Sequence, residues 1–424
     1  MTVLVGLFQA GYARLKSRID NMGLDIDIAT FDETGSFDLD GIKKPASEVA
    51  LDYLWLSPDV AGGILGKLPF EVALACKKID VLQTFNAGLD NPAYKQLSDR
   101  GIRICNSSAQ SVAIAEYVMA HALSLIHPIN AQRAHQARKE WKRTPFREVA
   151  NTKWLIIGFG PIGTETAKRA KAFGASIDVI RRSPEISELV DRAGTMADLK
   201  TFLPDADVVV LACPLNDETR KFAGDEFFGA VKEGAILINI ARGALINDAA
   251  MIAALNRGQL AAAALDVFDP EPLPMDNPLW DHPKVRVTAH TSFCGDGTSL
   301  RWDELFFDNL PRYVRGEPLL HEVGGGDDAE RHGGNAPVSG GQLEQAVQET
   351  HQHEKQEDRP RRAEIESHVT ATDNQIGVVG AHAEEERQKR ADDQRAQGQR
   401  LMCSRFFTRN GRTPHREILP EILR

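Results

Sequence analysis

Short apolar runs alternate with helical stretches over residues 1–323 of this 424-residue chain. The runs are continuously apolar, which is typical of parallel strands that helices cover on both faces. A helical stretch from about Val112 to Trp141, predicted as one long helix, separates the runs into two sets. The first set is TVLVGLF, LDIDIATF, ALDYLWLS, DVLQTFNAG and IRICNSS; the second is KWLIIGFG, SIDVIRR, ADVVVLACP, AILINIARG, AAALDVF and VRVTAH. The pattern predicts an α/β protein with two doubly wound parallel-sheet domains and a cleft between them.

The composition changes abruptly after Val323. Segment 324–424 begins GGGDDAERHGGNAPVSGG, contains no Trp or Tyr, and has Phe only at Phe406 and Phe407. Such a segment buries too little apolar surface to offset its ordering entropy, so the sequence predicts a disordered polar tail. The tail contains an HQH triplet, but a solvated tract is favoured there over a metal site.

Charge and local composition exclude several classes of protein. The net charge of −10 argues against a nucleic-acid binder, and no apolar run approaches the roughly 18 residues of a membrane span. The N-terminal MTVLVGLFQAG is typical of a first strand and not of a secretory signal. The cysteines form no CxxC pair, which argues against a metal site. We therefore expect a cytoplasmic protein without a metal, nucleic-acid or membrane partner.

A glycine-rich turn, GFGPIG at 158–163, follows the first strand of the second set and precedes a helical stretch. In this pattern the first glycine permits a tight turn, the second lets the backbone approach a pyrophosphate, and the third lets the helix pack on the strand. The helix N-terminus offers unpaired N–H groups and a partial positive charge to the phosphates. The pattern predicts a dinucleotide site with contacts at Gly158, Gly160, Pro161, Ile162 and Gly163.

The next strand ends within VIRRSP, where an NAD-binding protein usually carries a carboxylate that hydrogen-bonds the adenosine ribose. NADP carries a 2′-phosphate at this point, which a carboxylate would repel and an arginine binds through charge-assisted hydrogen bonds. Arg181, Arg182 and the hydroxyl of Ser183 therefore favour NADP(H), with NAD(H) still possible. The alternative is that the arginines are solvated in a protein that uses NAD.

Polar residues follow three further strands of the second set. They are Arg242, then Asp266 and Glu271, and finally His290. Ligands bind at the carboxyl ends of strands in open α/β sheets. Arginine can fix a carboxylate, histidine can donate or accept a hydroxyl proton, and a carboxylate can hold the imidazolium. Together these residues predict hydride chemistry.

With these residues in place, the chain resembles the D-isomer-specific 2-hydroxyacid dehydrogenase family, close to its hydroxypyruvate/glyoxylate reductases. Further matching motifs are SVAIAEYVMAHAL, CPLNDETR, INIARGALIND, GQLAAAALDVFDPEPLP and NPLWDHPKVRVTAH. The resemblance implies a Rossmann NAD(P)-binding domain over residues 101–291. It implies a flavodoxin-like substrate domain built from residues 1–100 and 292–323. It also implies a homodimer formed through the cofactor domain, with the region after the long helix contributing.

The resemblance also implies roles for individual residues. The catalytic set would be Arg242, Glu271 and His290, with Glu271 orienting the histidine. Asp266 would hold the nicotinamide carboxamide, and Pro214 and Ala241 would add cofactor contacts. The substrate carboxylate would bind Arg242 and the loop FNAGLDN, through Asn86, Ala87 and Gly88.

The substrate predicted from these features is a small unphosphorylated 2-oxo acid. Pro45–Gly66 contains no Lys or Arg to hold a phosphate, and Leu54, Trp55 and Leu56 are predicted to supply apolar walls. The predicted reaction is NADPH-dependent reduction to a D-2-hydroxy acid.

Two departures from the family pattern and two alternative functions stand beside this interpretation. Ala289 replaces the proline that usually precedes the histidine, and HTSFCGDG replaces a sequence of smaller residues. The family pattern therefore does not predict the shape of the loop after His290. The alternatives are an NAD-dependent phosphoglycerate-type dehydrogenase and a dinucleotide-sensing corepressor of the same fold. The paired arginines count against both, because those relatives read NAD with an acidic residue.

Overall fold

The computed structural model describes residues 2–60 and 66–323, so the predicted tail 324–424 lies outside the described residues. Within the described residues the first sheet has eight strands. They are β1 (Val3–Phe8), β2 (Ile26–Phe31), β3 (Ser36–Leu39), β4 (Ile42–Pro45), β5 (Ala50–Leu56), β6 (Lys78–Thr84), β7 (Arg103–Cys105) and, from the end of the described chain, β15 (Glu322–Val323).

The parallel centre of the first sheet has the strand order β2-β1-β5-β6-β7, which is the order of a flavodoxin-like sheet. The antiparallel hairpin β3–β4 extends it beyond β2, and antiparallel β15 extends it beyond β7. Apolar clusters cover both faces of this sheet. The prediction of a doubly wound first domain is confirmed.

The second sheet has seven strands within the described residues, all of them parallel. They are β8 (Lys153–Ile157), β9 (Ser176–Ile180), β10 (Arg192–Gly194), β11 (Val208–Leu211), β12 (Ala235–Asn239), β13 (Leu260–Leu265) and β14 (Val285–Val287). The spatial order β10-β9-β8-β11-β12-β13 is that of a Rossmann sheet, and β14 adds a strand at the edge. Every residue of β11 and β12 is buried, as the continuous apolar runs predicted.

Helices connect the strands and cover both sheets. They are α1 (Gln9–Asn21), α2 (Leu68–Ala75), α3 (Pro92–Asp99), α4 (Ser111–Ile126), α5 (Ile129–Ala137), α6 (Pro161–Ala172), α7 (Leu199–Phe202), α8 (Asp225–Ala230), α9 (Asp248–Asn256) and α10 (Asp296–Val314). The prediction of one helix from Val112 to Trp141 is wrong, because this stretch forms two helices, α4 and α5, whose axes differ by 58°.

The break between α4 and α5 has a local cause at Pro128. A proline restricts the residue before it to extended backbone, and His127 accordingly has ψ of 136°. The backbone N–H of His127 still bonds to the Leu123 carbonyl at 2.8 Å, which closes the last turn of α4. Among the described residues, no single helix has the length and apolarity to cross a membrane, although this bent pair does when its two halves are counted together.

After the second sheet, the chain returns to the first. Phe306 of α10 stacks on Trp55 of β5 with ring centroids 4.4 Å apart, and β15 pairs with β7. The predicted domain boundary after residue 100 precedes β7, yet β7 pairs with β6, so the first sheet extends to Cys105. The carboxyl ends of both sheets carry the loops that hold the predicted site residues.

Candidate active site

The glycine-rich loop joins β8 to α6 where the strand order of the second sheet reverses. Gly158 has a φ of +98°, and a Cβ there would lie 2.5 Å from backbone atoms of Ala212 and Cys213, just after β11. A Cβ on Gly163 would lie 2.3 Å from the carbonyl oxygen of Gly158. Both positions therefore require glycine, and the tight turn draws the start of α6 against β8.

The start of α6 is open to an anion. Gly160 is the N-cap, and among the described residues no atom lies within 4 Å of the position of a Cβ there and no side chain caps the helix. Pro161 occupies the first helical position, and half-buried Ile162 packs into the core beneath the sheet. The first-turn N–H groups have no partner within their own helix, which is the arrangement that binds phosphate. The loop thus fits the pyrophosphate of a dinucleotide.

Arg181 directly follows β9 and lies beside this loop. Its guanidinium carbon is 5.9 Å from the centroid of the Phe159 ring, and its backbone N–H bonds to the Gly194 carbonyl at 2.9 Å. The Nε of Arg181 is buried and has no hydrogen-bond partner among the described residues. Arg182 and Ser183 are exposed. A buried cationic donor without a partner, next to a phosphate-binding loop, fits the additional phosphate of NADP.

His290 and Glu271 form a hydrogen-bonded pair beyond β13 and β14. Nδ1 of His290 lies 2.8 Å from Oε2 of Glu271, and Oε1 accepts a bond from the Phe268 N–H, also at 2.8 Å. Burial by itself raises the pKa of Glu271, but these bonds and the charges of His290 and Arg242 outweigh burial and lower it. An ionised carboxylate only accepts, so Nδ1 carries a proton and Nε2 is the nitrogen left for a substrate.

Asp266 builds the loop that carries the histidine. It follows β13 and is fully buried, and its carboxylate accepts bonds from the Thr288 hydroxyl (2.6 Å) and from the N–H groups of Thr291 (2.8 Å) and Ser292 (2.9 Å). Its carbonyl accepts the N–H of His290 at 2.8 Å. These bonds hold His290 at a φ of +49°, which costs a non-glycine residue roughly 1–2 kcal/mol.

The predicted contact between Asp266 and the nicotinamide carboxamide stays a prediction, because a fully enclosed carboxylate reaches a ligand only if this loop opens. Ala289, which replaces the usual proline, is an exposed residue of the same loop.

Arg242 follows β12 and reaches across to the first sheet. Its Nε and Nη2 donate to the two oxygens of Asp90 at 3.0 and 2.6 Å, and its Nη1 donates to the Ala241 carbonyl at 2.7 Å. The Asn239 side chain donates to the Arg242 carbonyl at 2.8 Å, which fixes the backbone of the arginine. Burial alone raises the pKa of Asp90, but the bonds and charge of Arg242 outweigh it and lower that pKa.

The predicted substrate loop follows β6 and contacts Arg242. The Asn86 amide donates to the Tyr94 hydroxyl at 2.7 Å, and the Ala87 carbonyl accepts from Asn106 at 2.8 Å. A Cβ on Gly88 would lie 2.2 Å from Nη2 of Arg242, so only glycine leaves room for the guanidinium. The predicted cofactor contacts at Pro214 and Ala241 stay predictions: Pro214 is an exposed residue after β11, and Ala241 is a buried residue after β12.

The prediction that Leu54 and Trp55 line the substrate site is wrong. Their side chains are 0% and 1% exposed and pack into the cores on opposite faces of the first sheet. Successive side chains in a strand point to opposite faces, and helices cover both faces here. Leu56 alone of the three borders a recess, which it shares with Asn86 and Tyr94.

Sequence reasoning missed Asp90 and the hydrogen-bonding role of Thr288. Asp90 lies within the FNAGLDN loop that the sequence singled out, but its partner is 152 residues away. The available signal was the acidic side chain of Asp90 itself. An acidic residue in a loop that is predicted to bind an anionic substrate needs a cation beside it.

Comparisons with known proteins agree with this architecture. The family model "D-isomer specific 2-hydroxyacid dehydrogenase, NAD binding domain" matches residues 119–292. The glyoxylate reductase of Korarchaeum cryptofilum is 31% identical over 257 residues, which cover 58% of this chain and 76% of that protein. The D-3-phosphoglycerate dehydrogenase of Methanocaldococcus jannaschii is 33% identical over 257 residues, which cover 59% of this chain. The match spans only 48% of that longer protein, so the chain covers about half the length of such relatives.

A solved structure of similar fold is the D-isomer specific 2-hydroxyacid dehydrogenase of Xanthobacter autotrophicus Py2 in complex with NADPH and MES. It is 26% identical, with a TM-score of 0.62, and the match covers 78% of this chain and all of that one. The two-sheet architecture of this chain is therefore that of a solved dehydrogenase structure. The chain belongs to the D-isomer-specific 2-hydroxyacid dehydrogenase family, whose members are oxidoreductases that act on CH–OH donors.

Proposed function

We propose that this protein is an NADPH-preferring reductase that converts small 2-oxo acids, of the glyoxylate or hydroxypyruvate type, into D-2-hydroxy acids. The observation that carries the cofactor preference is the buried, unpartnered Nε of Arg181 beside the glycine loop, with no partner among the described residues. A 2′-phosphate is the group that distinguishes NADP from NAD, and a guanidinium binds it with charge-assisted bonds. The Xanthobacter relative, whose structure holds NADPH, supports the same preference.

The catalytic steps proposed for this chain use three side chains. When bound, the nicotinamide dinucleotide supplies a hydride to the carbonyl carbon. Arg242 and the backbone of the Asn86 loop hold the substrate carboxylate, which fixes the position of the carbonyl group. The imidazolium form of His290 carries a proton on each ring nitrogen, and its Nε2 donates one to the carbonyl oxygen as the hydroxyl forms, which leaves a neutral imidazole protonated at Nδ1. Glu271, ionised and bonded to Nδ1, keeps the imidazole in the orientation that presents Nε2.

Small, singly charged substrates fit this site better than phosphorylated ones. Pro45–Gly66, which ends at the recess beside Leu56, contains no Lys or Arg. The charged residue that accompanies Arg242 is Asp90, which repels a second anionic group. Relatives named glyoxylate reductase and hydroxypyruvate reductase support this substrate class.

An NAD-dependent phosphoglycerate-type dehydrogenase is the second candidate. The relatives named D-3-phosphoglycerate dehydrogenase favour it, at 33% and 32% identity. This second function requires a cationic pocket for the substrate phosphate and a contact to the adenosine ribose of NAD that does not depend on Arg181.

A substrate panel tests the proposal against this alternative. The purified full chain is assayed for reduction of glyoxylate, hydroxypyruvate, pyruvate and phosphohydroxypyruvate with NADPH and with NADH. We expect the highest kcat/KM for glyoxylate or hydroxypyruvate with NADPH. The highest value for phosphohydroxypyruvate with NADH would favour the second candidate, and tight dinucleotide binding without turnover of any acid would favour a sensor.

We also propose that the chain forms a homodimer through its cofactor domain. None of the nine residues of α5 is buried, and Trp141 and Phe146, which follow it, are 103% and 50% exposed. Large apolar side chains exposed together mark a surface that another chain covers. Sedimentation of the purified protein at twice the mass of the chain is the expected result, and monomeric mass would refute it.

A further inference from the structure

A second carboxylate, Asp90, lies at the proposed site beside the Arg-Glu-His set. It belongs to the loop after β6 of the first sheet, whereas Arg242 follows β12 of the second, so their ion pair joins loops of the two sheets. Both side chains are about one third exposed, at 35% and 33%. The charge of His290 acts on Asp90 as well, which places the three groups in one electrostatic neighbourhood.

The geometry of the pair decides which N–H groups Arg242 offers to a substrate. A guanidinium carries five N–H donors, arranged as a side fork on Nε and Nη2 and an end fork on Nη1 and Nη2. The Asp90 carboxylate accepts both bonds of the side fork, and the Ala241 carbonyl accepts a bond from one N–H of Nη1. One N–H on Nη1 and one on Nη2 are left over. We assign to the Ala241 carbonyl the Nη1 N–H that points away from Nη2, so the two remaining N–H groups form the end fork, which matches the two oxygens of a carboxylate.

We propose that Asp90 is a positioning residue that holds the side fork of Arg242 and thereby presents its end fork to the carboxylate of the 2-oxo acid. The inference rests on the proposed function. Because Asp90 and Arg242 extend from different sheets, the orientation of the guanidinium depends on how closely the two loops approach each other. Gly88 contributes to the same arrangement, since any side chain there would displace Nη2 of Arg242.

The test is Asp90→Asn, which keeps the size of the side chain but cannot accept two bonds from the side fork. A misaligned binding group costs on the order of 10²-fold, so KM for glyoxylate should rise by about 10-fold to 10²-fold. KM for NADPH should change by less than about threefold, because the glycine loop and Arg181 are untouched. Asp99→Asn is the matched control: Asp99 forms an exposed ion pair with Lys95 on α3, and its removal should leave both constants unchanged.

A double-variant cycle separates positioning through Arg242 from a general structural effect. In Arg242→Lys the charge remains but there is no planar fork to align. In that background, Asp90→Asn should change KM for glyoxylate by less than about threefold. An equal effect in both backgrounds would overturn the inference, because Asp90 would then not act through the fork.

Binding of oxamate, an unreactive 2-oxo acid mimic, to the NADPH-loaded protein gives a readout that needs no turnover. Asp90→Asn should weaken oxamate binding as much as it raises KM. Tighter oxamate binding would show that Asp90 competes with the substrate for Arg242 and would overturn the inference. If the wild type reduces none of the panel acids, the proposed function is overturned, and this inference with it. If the wild type turns over normally and Asp90→Asn leaves KM and oxamate binding unchanged, only the positioning role is overturned.

Discussion

Replacing Arg181 by Asp should abolish or invert the preference for NADPH. The variant removes the guanidinium beside Phe159 and places a carboxylate at the end of β9, which is the arrangement typical of proteins that bind NAD. The backbone bond from residue 181 to the Gly194 carbonyl does not depend on the side chain, so the strand pairing should persist.

The expected magnitude follows from the hydrogen bond that is removed and the repulsion that is added. A hydrogen bond to a charged group contributes about 1.5–3 kcal/mol, and about 1.4 kcal/mol corresponds to tenfold, so removing one such bond weakens NADPH binding about 10-fold to 10²-fold. A carboxylate about 4 Å from the 2′-phosphate adds repulsion of about 1 kcal/mol or more, depending on local screening. The NADPH/NADH ratio of kcat/KM should therefore fall by about 10² or more, while NADH use is retained.

The assay is steady-state reduction of glyoxylate with each cofactor, for the wild type and the variant. Arg315→Ala is the matched control, because it also removes an arginine charge but from an exposed pair with Glu317 at the end of α10. Its ratio should equal that of the wild type. If Arg181→Asp also leaves the ratio unchanged, Arg181 does not contact the cofactor and the cofactor proposal fails.

Three further outcomes are expected. His290→Ala should lower kcat by at least about 10²-fold with dinucleotide binding retained; near-normal turnover would remove His290 from the mechanism. The pKa of Glu271 is lowered in the folded protein. Its ionised side chain therefore stabilises the fold at pH values above the ordinary glutamate pKa, and this stabilisation is lost as the pH falls through the lowered pKa. Glu271→Gln should therefore flatten the acid side of the unfolding free energy measured against pH, and an unchanged profile would contradict the pairing with His290. Truncation after Val323 keeps the described pairing of β15 with β7 and should leave the steady-state constants within a few-fold, whereas an inactive product would show that segment 324–424 contributes to the enzyme.

The second sheet was predictable because its sequence signals are local and agree with one another. Continuous apolar runs predicted strands buried on both faces, and β11 and β12 are buried throughout. The spacing of GFGPIG between a strand and a helix predicted a turn that only glycine fits, as the close approach at Gly158 and Gly163 confirms. The same motif is typical of the first strand of a Rossmann sheet, and β8, which carries it, lies at the point where the strand order reverses.

Other features depend on which of two local signals prevails. The apolar periodicity continues past Ile126, which predicted one long helix, but the constraint of Pro128 on His127 ended α4 there. Leu54 and Trp55 lie near the carboxyl end of β5, which suggested a binding surface. Trp55 is covered by α10, which returns from the end of the described chain and stacks Phe306 on it, and Leu54 packs into the core on the opposite face.

The contacts between loops of the two sheets depend on long-range geometry that no local pattern encodes. The sequence placed Arg242 and the FNAGLDN loop at strand ends, but the bidentate pairing of Arg242 with Asp90 arises only when the two sheets face each other. The role of Asp266 is similar, since its bonds to the N–H groups of Thr291 and Ser292 exist only in the folded loop.

The cofactor ratio of the wild type tests the central proposal most directly. With the purified full chain and glyoxylate as the acceptor, kcat/KM is measured for NADPH and for NADH under the same buffer and ionic strength. Two charge-assisted contacts from the VIRRSP turn predict a preference for NADPH of about 10² to 10⁴. Equal values, or a preference for NADH, would contradict the proposal that the arginines at 181 and 182 bind the phosphate of NADP.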